Sequence, residues 1–167
     1  MEKLIKELKE ILEEELKIYK EMLQITEKKT KVITSGTAKE LDKTTQIEQT
    51  MILKIAKLEN QREKIVENIK IQVGINGEAS VAKLTEKISA QYKNEVKELE
   101  SIRDELLDIL NKIKKRNELN SKLINDSLEY INFNINLLTS SATETTYTNK
   151  VEEGNAGKSQ SLFDAKV

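Results

Sequence analysis

No proline occurs anywhere in this chain, and from Val81 to Leu138 there is no glycine either, while an apolar side chain returns every three or four residues through most of that stretch. The two residues that break helices most strongly are therefore missing where the hydrophobic period is nearest 3.6. A helix with one buried face satisfies this pattern, and a strand, whose period is two, does not. Composition agrees: 37% of the residues are hydrophobic and 4% aromatic, whereas 34% are charged, which suits long, thin helices better than a thick globule.

The same patterning divides the rest of the chain. An apolar stripe runs through Leu4, Leu8, Ile11, Met22, Ile25 and Val32, widened by Leu12, Leu16, Ile18 and Tyr19. Ser35-Gly36-Thr37 is expected to end this helix, with Gly36 in the left-handed conformation, and Thr37-Ala38-Lys39-Glu40 has the form of a capping box that opens the next. The second stripe runs Leu41, Thr45, Ile47, Ile52, Ile55, Leu58, Arg62, Ile65, Ile69 and Val73, with a period near a coiled-coil seam. Val73-Gly74-Ile75-Asn76-Gly77 is the best turn signal in the sequence. A third helix, opened by Ser80, then has nothing in its local chemistry to stop it before Thr139.

The expected fold class is all-α: an elongated antiparallel helical hairpin or three-helix coiled-coil bundle. Residues 1–139 form one domain with helices at about 2–34, 37–73 and 79–139, followed by a disordered tail at 140–167. The tail is small, polar and aperiodic, and so unable to bury enough surface to offset the entropy of ordering. Its last residues, Ser161 to Val167, return Leu162 and Phe163 to an otherwise polar stretch and form a candidate binding motif.

Rod lengths then matter. At ~1.5 Å per residue, two rods of roughly 50 Å must lie beside one of roughly 90 Å. About the last third of the third helix, Lys112 to Leu138, is left without a partner. It carries Leu119, Leu123, Ile124, Leu128, Tyr130, Ile131, Phe133, Ile135, Leu137 and Leu138. A helix this apolar is normally buried, so the first helix, a second copy of the chain or another protein must cover it. Asn120, Ser127 and Asn134, seven apart from Ile113, lie on its seam with Asn117 beside them. They serve either to fix register or to hydrogen-bond a bound segment, and the sequence leaves both readings open.

Catalysis finds no candidates. Cys, His and Trp are absent, which removes disulfides, thiolate and imidazole metal sites, and Ser-His or Cys-His pairs. Runs of acid such as Glu13-Glu14-Glu15 alternate with Lys at helical spacing and read as surface ion pairs. No two acids stand isolated in an apolar setting that would separate their pKa values, so the chain is not expected to be an enzyme and needs no cofactor or metal. Gly154-Asn155-Ala156-Gly157-Lys158-Ser159 has two residues between its glycines where a phosphate loop needs four, and reads as a coincidence of tail composition. Lys112 to Arg116 is a basic cluster without an interleaved aromatic platform, and 28 basic against 29 acidic residues leave no global field for nucleic acid or anionic lipid. No segment has the ~20 apolar residues of a membrane span, the amino terminus does not read as a signal peptide, and the expected location is the cytoplasm.

Three stretches carry a resemblance. Glu14-Glu15-Leu16 with Tyr19, Ile47-Glu48-Gln49 through Leu58-Glu59-Asn60-Gln61-Arg62, and Asn117-Glu118-Leu119-Asn120 to Leu123-Ile124 together resemble FlgN-type flagellar export chaperones over roughly residues 1–140. Ser161 to Val167 resembles the ends of some members. The resemblance implies a cytoplasmic chaperone that binds hook-filament junction proteins, the hook-associated proteins, and delivers them to the export gate of the flagellar type III apparatus. It also implies client binding toward the carboxyl-terminal part, with Tyr130 as a candidate gate-contacting tyrosine, which agrees with the unpartnered stretch; the expected partner-binding set is therefore Asn117, Asn120, Leu123, Ile124, Leu128, Tyr130, Ile131, Phe133, Ile135, Leu138, Leu162 and Phe163. The alternative is a structural coiled-coil scaffold or self-assembling adaptor, with the apolar stripe buried between identical copies.

Overall fold

The computed structural model describes residues 1–75, 81–89 and 91–144; the side chains of 81–83 and 140–144 are left aside. Among the described residues the only regular structure is helical: α1 (Glu2–Ser35), α2 (Ala38–Val73), α3 (Val81–Ser89) and α4 (Lys93–Glu144). The all-α bundle expected from the sequence is present. The chain divides into two compact units, Met1–Asp126 and Ser127–Val167. The division falls inside α4.

Within the first unit, α1 and α2 form an antiparallel hairpin joined through Gly36 and Thr37. The capping box is complete: the Glu40 amide donates to Thr37 Oγ1 at 3.3 Å and the Thr37 amide donates to Glu40 Oε2 at 2.9 Å. The Thr37 amide, and after it the Thr37 hydroxyl, donate to the Glu40 carboxylate and hold its pKa below the ordinary range. Gly36 corrects an expectation. It sits at φ −95°, ψ −170°, in extended backbone, and is not left-handed. Glycine is needed there for room, because a Cβ would lie 2.7 Å from the Val32 carbonyl oxygen. The left-handed cap is at Gly74 instead, φ 66°. There the Gly74 amide donates to Ile71 O at 3.3 Å and the Ile75 amide to Lys70 O at 3.0 Å, the paired bonds of a Schellman motif.

The third helix, which the sequence left free to run on or to bend near Ser89-Ala90, is two helices, α3 and α4. Ser89 Oγ donates to Glu86 O at 2.7 Å, the Gln91 and Tyr92 amides both reach Ile88 O, and the Val96 amide restarts the ladder on Tyr92 O. The break has a packing cause. Leu84 and Ile88 of α3 share one core cluster with Val96 and Leu99 of α4, Ile5 of α1 and Ile69 of α2. In a straight helix Leu84 and Leu99 would stand roughly 22 Å apart and could not close the same end of the bundle.

Beyond that turn α4 runs parallel to α1. Lys9 Nζ meets Glu98 Oε2 at 2.7 Å, Lys20 Nζ meets Glu105 Oε1 at 2.7 Å and Arg116 meets Glu27 at 3.7 Å. A second cluster, Leu16 and Met22 against Leu106, Ile109 and Ile113, lies between the two helices. Contacts near both ends join residues 89 and 90 positions apart, so α1, ending at Ser35, reaches about as far as residue 125 of α4. At its other end α4 continues to Glu144, five residues past the expected stop at Thr139. The Thr139 hydroxyl tolerates a helical position by donating back to Ile135 O at 2.9 Å. The expected disorder of 145–167 falls outside the described residues.

Candidate functional site

The candidate set, carried on α4 apart from Leu162 and Phe163, splits into three groups. Asn120 belongs to the interior of the first unit. It is 3% exposed, its Nδ2 donates to Thr26 O at 3.1 Å, and Thr30 Oγ1 donates to its Oδ1 at 2.6 Å. Of the two readings of the polar seam, register therefore holds at this position: only one sliding of α4 along α1 places the amide opposite both threonines. Asn120 is the one fully buried member of the described partner-binding set, with both ends of its amide occupied inside the bundle. Asn117 is exposed, and Leu123 and Ile124 are half-buried.

The second group lies in the second unit. Leu128 is 53% exposed, Tyr130 68% and Phe133 59%, with Ile131, Ile135, Leu137 and Leu138 also exposed. At ~100° per residue, Leu128, Ile131, Ile135 and Leu138 form one stripe and Tyr130, Phe133 and Leu137 a second. Ser127 and Asn134 stand between the stripes on the same seven-residue seam that carries Ile113 and Asn120. Together they form an apolar arc of roughly 200°, leaving a polar strip of Asn125, Glu129, Asn132 and Asn136. Asn134, half-buried, donates its Nδ2 to Tyr130 O at 2.9 Å, back onto its own helix. The arc can adhere to an apolar surface; it has no geometry for covalent chemistry. The third group, Leu162 and Phe163, lies outside the described residues.

One buried acid was not foreseen. Glu15, expected on a solvated surface, is 4% exposed and its Oε1 accepts no hydrogen bond. Arg62 Nε is 3.7 Å away, but both of its bonding nitrogens are directed to Glu59. Burial pushes the Glu15 carboxyl above its ordinary pKa, against the opposing pull of Arg62, and burial likewise raises Tyr19. A signal was available: Leu8, Leu12, Glu15 and Tyr19 are spaced four, three and four, so Glu15 lies on the apolar stripe of α1. Thr26 and Thr30, the partners of Asn120, were also unforeseen, and nothing in α1 alone marks them.

Among the described residues no group of acids is placed to hold a metal ion, and no helix is long and apolar enough to cross a membrane. A family model described as FlgN protein matches residues 1–153. The chain is 26% identical over 151 residues to the protein described as "Uncharacterized protein YvyG" of Bacillus subtilis (strain 168), covering 90% of this chain and 91% of that one. No solved structure matches it.

Proposed function

The chain belongs to the FlgN family of flagellar export chaperones, and from that membership we propose that it binds hook-associated proteins in the cytoplasm and delivers them to the export gate of the flagellar type III apparatus. The observation that carries this reading is the apolar arc of α4, whose large side chains stand exposed at Leu128, Tyr130, Ile131, Phe133 and Ile135. A monomer with no partner gains nothing by exposing such a surface, whereas a chaperone of a secreted helical subunit needs one.

The mechanism is helix in groove. The client's amphipathic terminal helix lays its apolar face along the arc and is thereby kept from associating early. Each anchor fully buried contributes ~1.5–3 kcal/mol, so three or four can outweigh the cost of association and leave a micromolar or tighter complex. Asn117, Leu123 and Ile124 belong to the same proposed set, and Leu162 and Phe163 add two anchors from the chain's last residues. Tyr130, the most exposed of the aromatics on the arc, is the residue offered to the gate. No nucleotide or metal enters this cycle.

The test is capture of a hook-associated protein from flagellated cells, followed by mass spectrometry. Leu128→Asp, Ile131→Asp or Phe133→Asp is expected to abolish capture while far-ultraviolet circular dichroism stays helical; capture retained by all three removes the arc as the site. Light scattering of the free protein addresses the scaffold alternative, in which the arc is covered by a second copy.

A further inference from the structure

The first unit holds a groove that the chaperone reading does not use. It is lined by residues of all four helices, with α1 forming the floor, and encloses a cavity of about 270 Å³. Its α4 wall extends from Val96 to Leu110, about four helical turns or roughly 20 Å. Leu107, 52% exposed, and Leu110, 37% exposed, stand on that wall with apolar surface open to solvent. Apart from its charged side chains the lining is almost wholly aliphatic, and Glu15 reaches into it from the floor.

We infer that this groove is a second docking surface, and that it receives an amphipathic partner helix carrying one lysine or arginine on its apolar face, opposite Glu15.

Shape gives the helix. The lining recurs at helical spacing on three long rods, and the cavity has room for the side chains of a fourth but not for its backbone. Charge gives the basic residue. Glu15, Glu59 and Glu100 line the groove against Arg62 and Arg103, one positive charge short of balance. The shortage is greatest at Glu15, whose buried Oε1 accepts no hydrogen bond and meets Arg62 only as an ion pair at 3.7 Å, because both bonding nitrogens of Arg62 are held by Glu59. A buried carboxylate in that state costs stability until a donor reaches it, and a cationic donor supplies both the bond and the missing charge. A purely apolar helix would seal the carboxylate against hydrocarbon, so the groove discriminates as well as binds.

The experiment uses the full chain and two synthetic peptides of roughly 16 residues, long enough to hold helical form when bound. Both present leucines on one face; one has lysine at the centre of that face and its twin has leucine there. Each carries fluorescein, and binding is read by anisotropy. The lysine peptide is expected to bind at least about tenfold more tightly than its twin. Glu15→Leu, which removes a buried charge and is checked by circular dichroism, should reverse that order. Leu107→Glu, on an exposed position, should weaken both peptides, and Phe133→Asp should change neither, which separates this groove from the arc. Equal affinity of the two peptides, an unchanged order in Glu15→Leu, or loss of binding in Phe133→Asp with retention in Leu107→Glu would each overturn the proposal. So would a tighter complex after joint Leu162→Ser and Phe163→Ser replacement, which assigns the groove to this chain's own end, or a dimer that Leu107→Glu dissociates in sedimentation, which assigns it to a second copy.

Discussion

Two stretches of α4 are built from the same residue types and meet opposite fates. Between Lys93 and Asp126, Val96, Leu99, Leu106, Ile109 and Ile113 are all buried against α1 or its neighbours. From Ser127 onward, Leu128, Ile131, Phe133 and Ile135 are all exposed by half or more. Neither helix propensity nor hydrophobicity separates the two stretches. Register does: α1 follows α4 at an offset near 90 residues and stops at Ser35. The lesson is that an apolar heptad pattern states a need for a partner and leaves open whether the same chain supplies it.

The sharpest way to break the comparison is to truncate one residue on each side of it. Ile109→Ala should cost about 2–5 kcal/mol, measured by urea unfolding, because it opens a cavity in the second cluster. A cost near zero would mean that the first stretch of α4 is no better covered than the last. Asn120→Ala comes next, at about 1–3 kcal/mol, since it removes the two hydrogen bonds that tie α4 to Thr26 and Thr30 of α1. Asn120→Leu should recover much of that stability while loosening register, seen as broadened amide resonances along α1 and α4.

Two acids sharpen the picture through pH. Glu15 has a raised folded pKa, so its unfavourable contribution is absent below the unfolded value, about 4.3, and develops as pH rises through the folded value. Glu40 has a lowered one; its favourable contribution is present above the unfolded value and is lost as pH falls through the folded value. Melting temperature against pH for Glu15→Gln should therefore rise relative to the parent above pH about 4.3, and that for Glu40→Ala should fall relative to it over the same range. The same sign for both would contradict the burial of Glu15. The smallest expected effect is Phe133→Asp, within about 0.5 kcal/mol in urea despite adding a charge to an aromatic site. A larger loss would place Phe133 in the core.

Much of the fold is legible in the sequence because it is written in short-range chemistry. Thr37 and Glu40 need only three residues to close a capping box, and Gly74 needs only its neighbours to take a left-handed turn. The sequence left a bend near Ser89-Ala90 open without deciding it, since no helix-breaking residue marks the break before Lys93 and its cause is a cluster drawn from all four helices. Gly36 was placed correctly as a helix end for the wrong reason, because the constraint is a contact with Val32 and not a dihedral preference. Of the candidate site, the apolar residues of α4 could be named from spacing alone. That Asn120 is buried could not be read there, because its partners Thr26 and Thr30 are 94 and 90 positions away in sequence.

By itself the sequence determined that this chain is helical, where its first two turns fall, and that α4 carries more apolar surface than two shorter rods can shield, since periodicity, capping and rise per residue are local properties. Only the tertiary structure decided which side chains of that surface α1 takes, how the chain bends at Tyr92 to bring α3 onto the core, and that an acid in the stripe of α1 lines a groove. Those outcomes depend on the sliding of one rod along another, and a one-dimensional pattern with a seven-residue repeat fits many such registers until a buried amide and its two threonines select one.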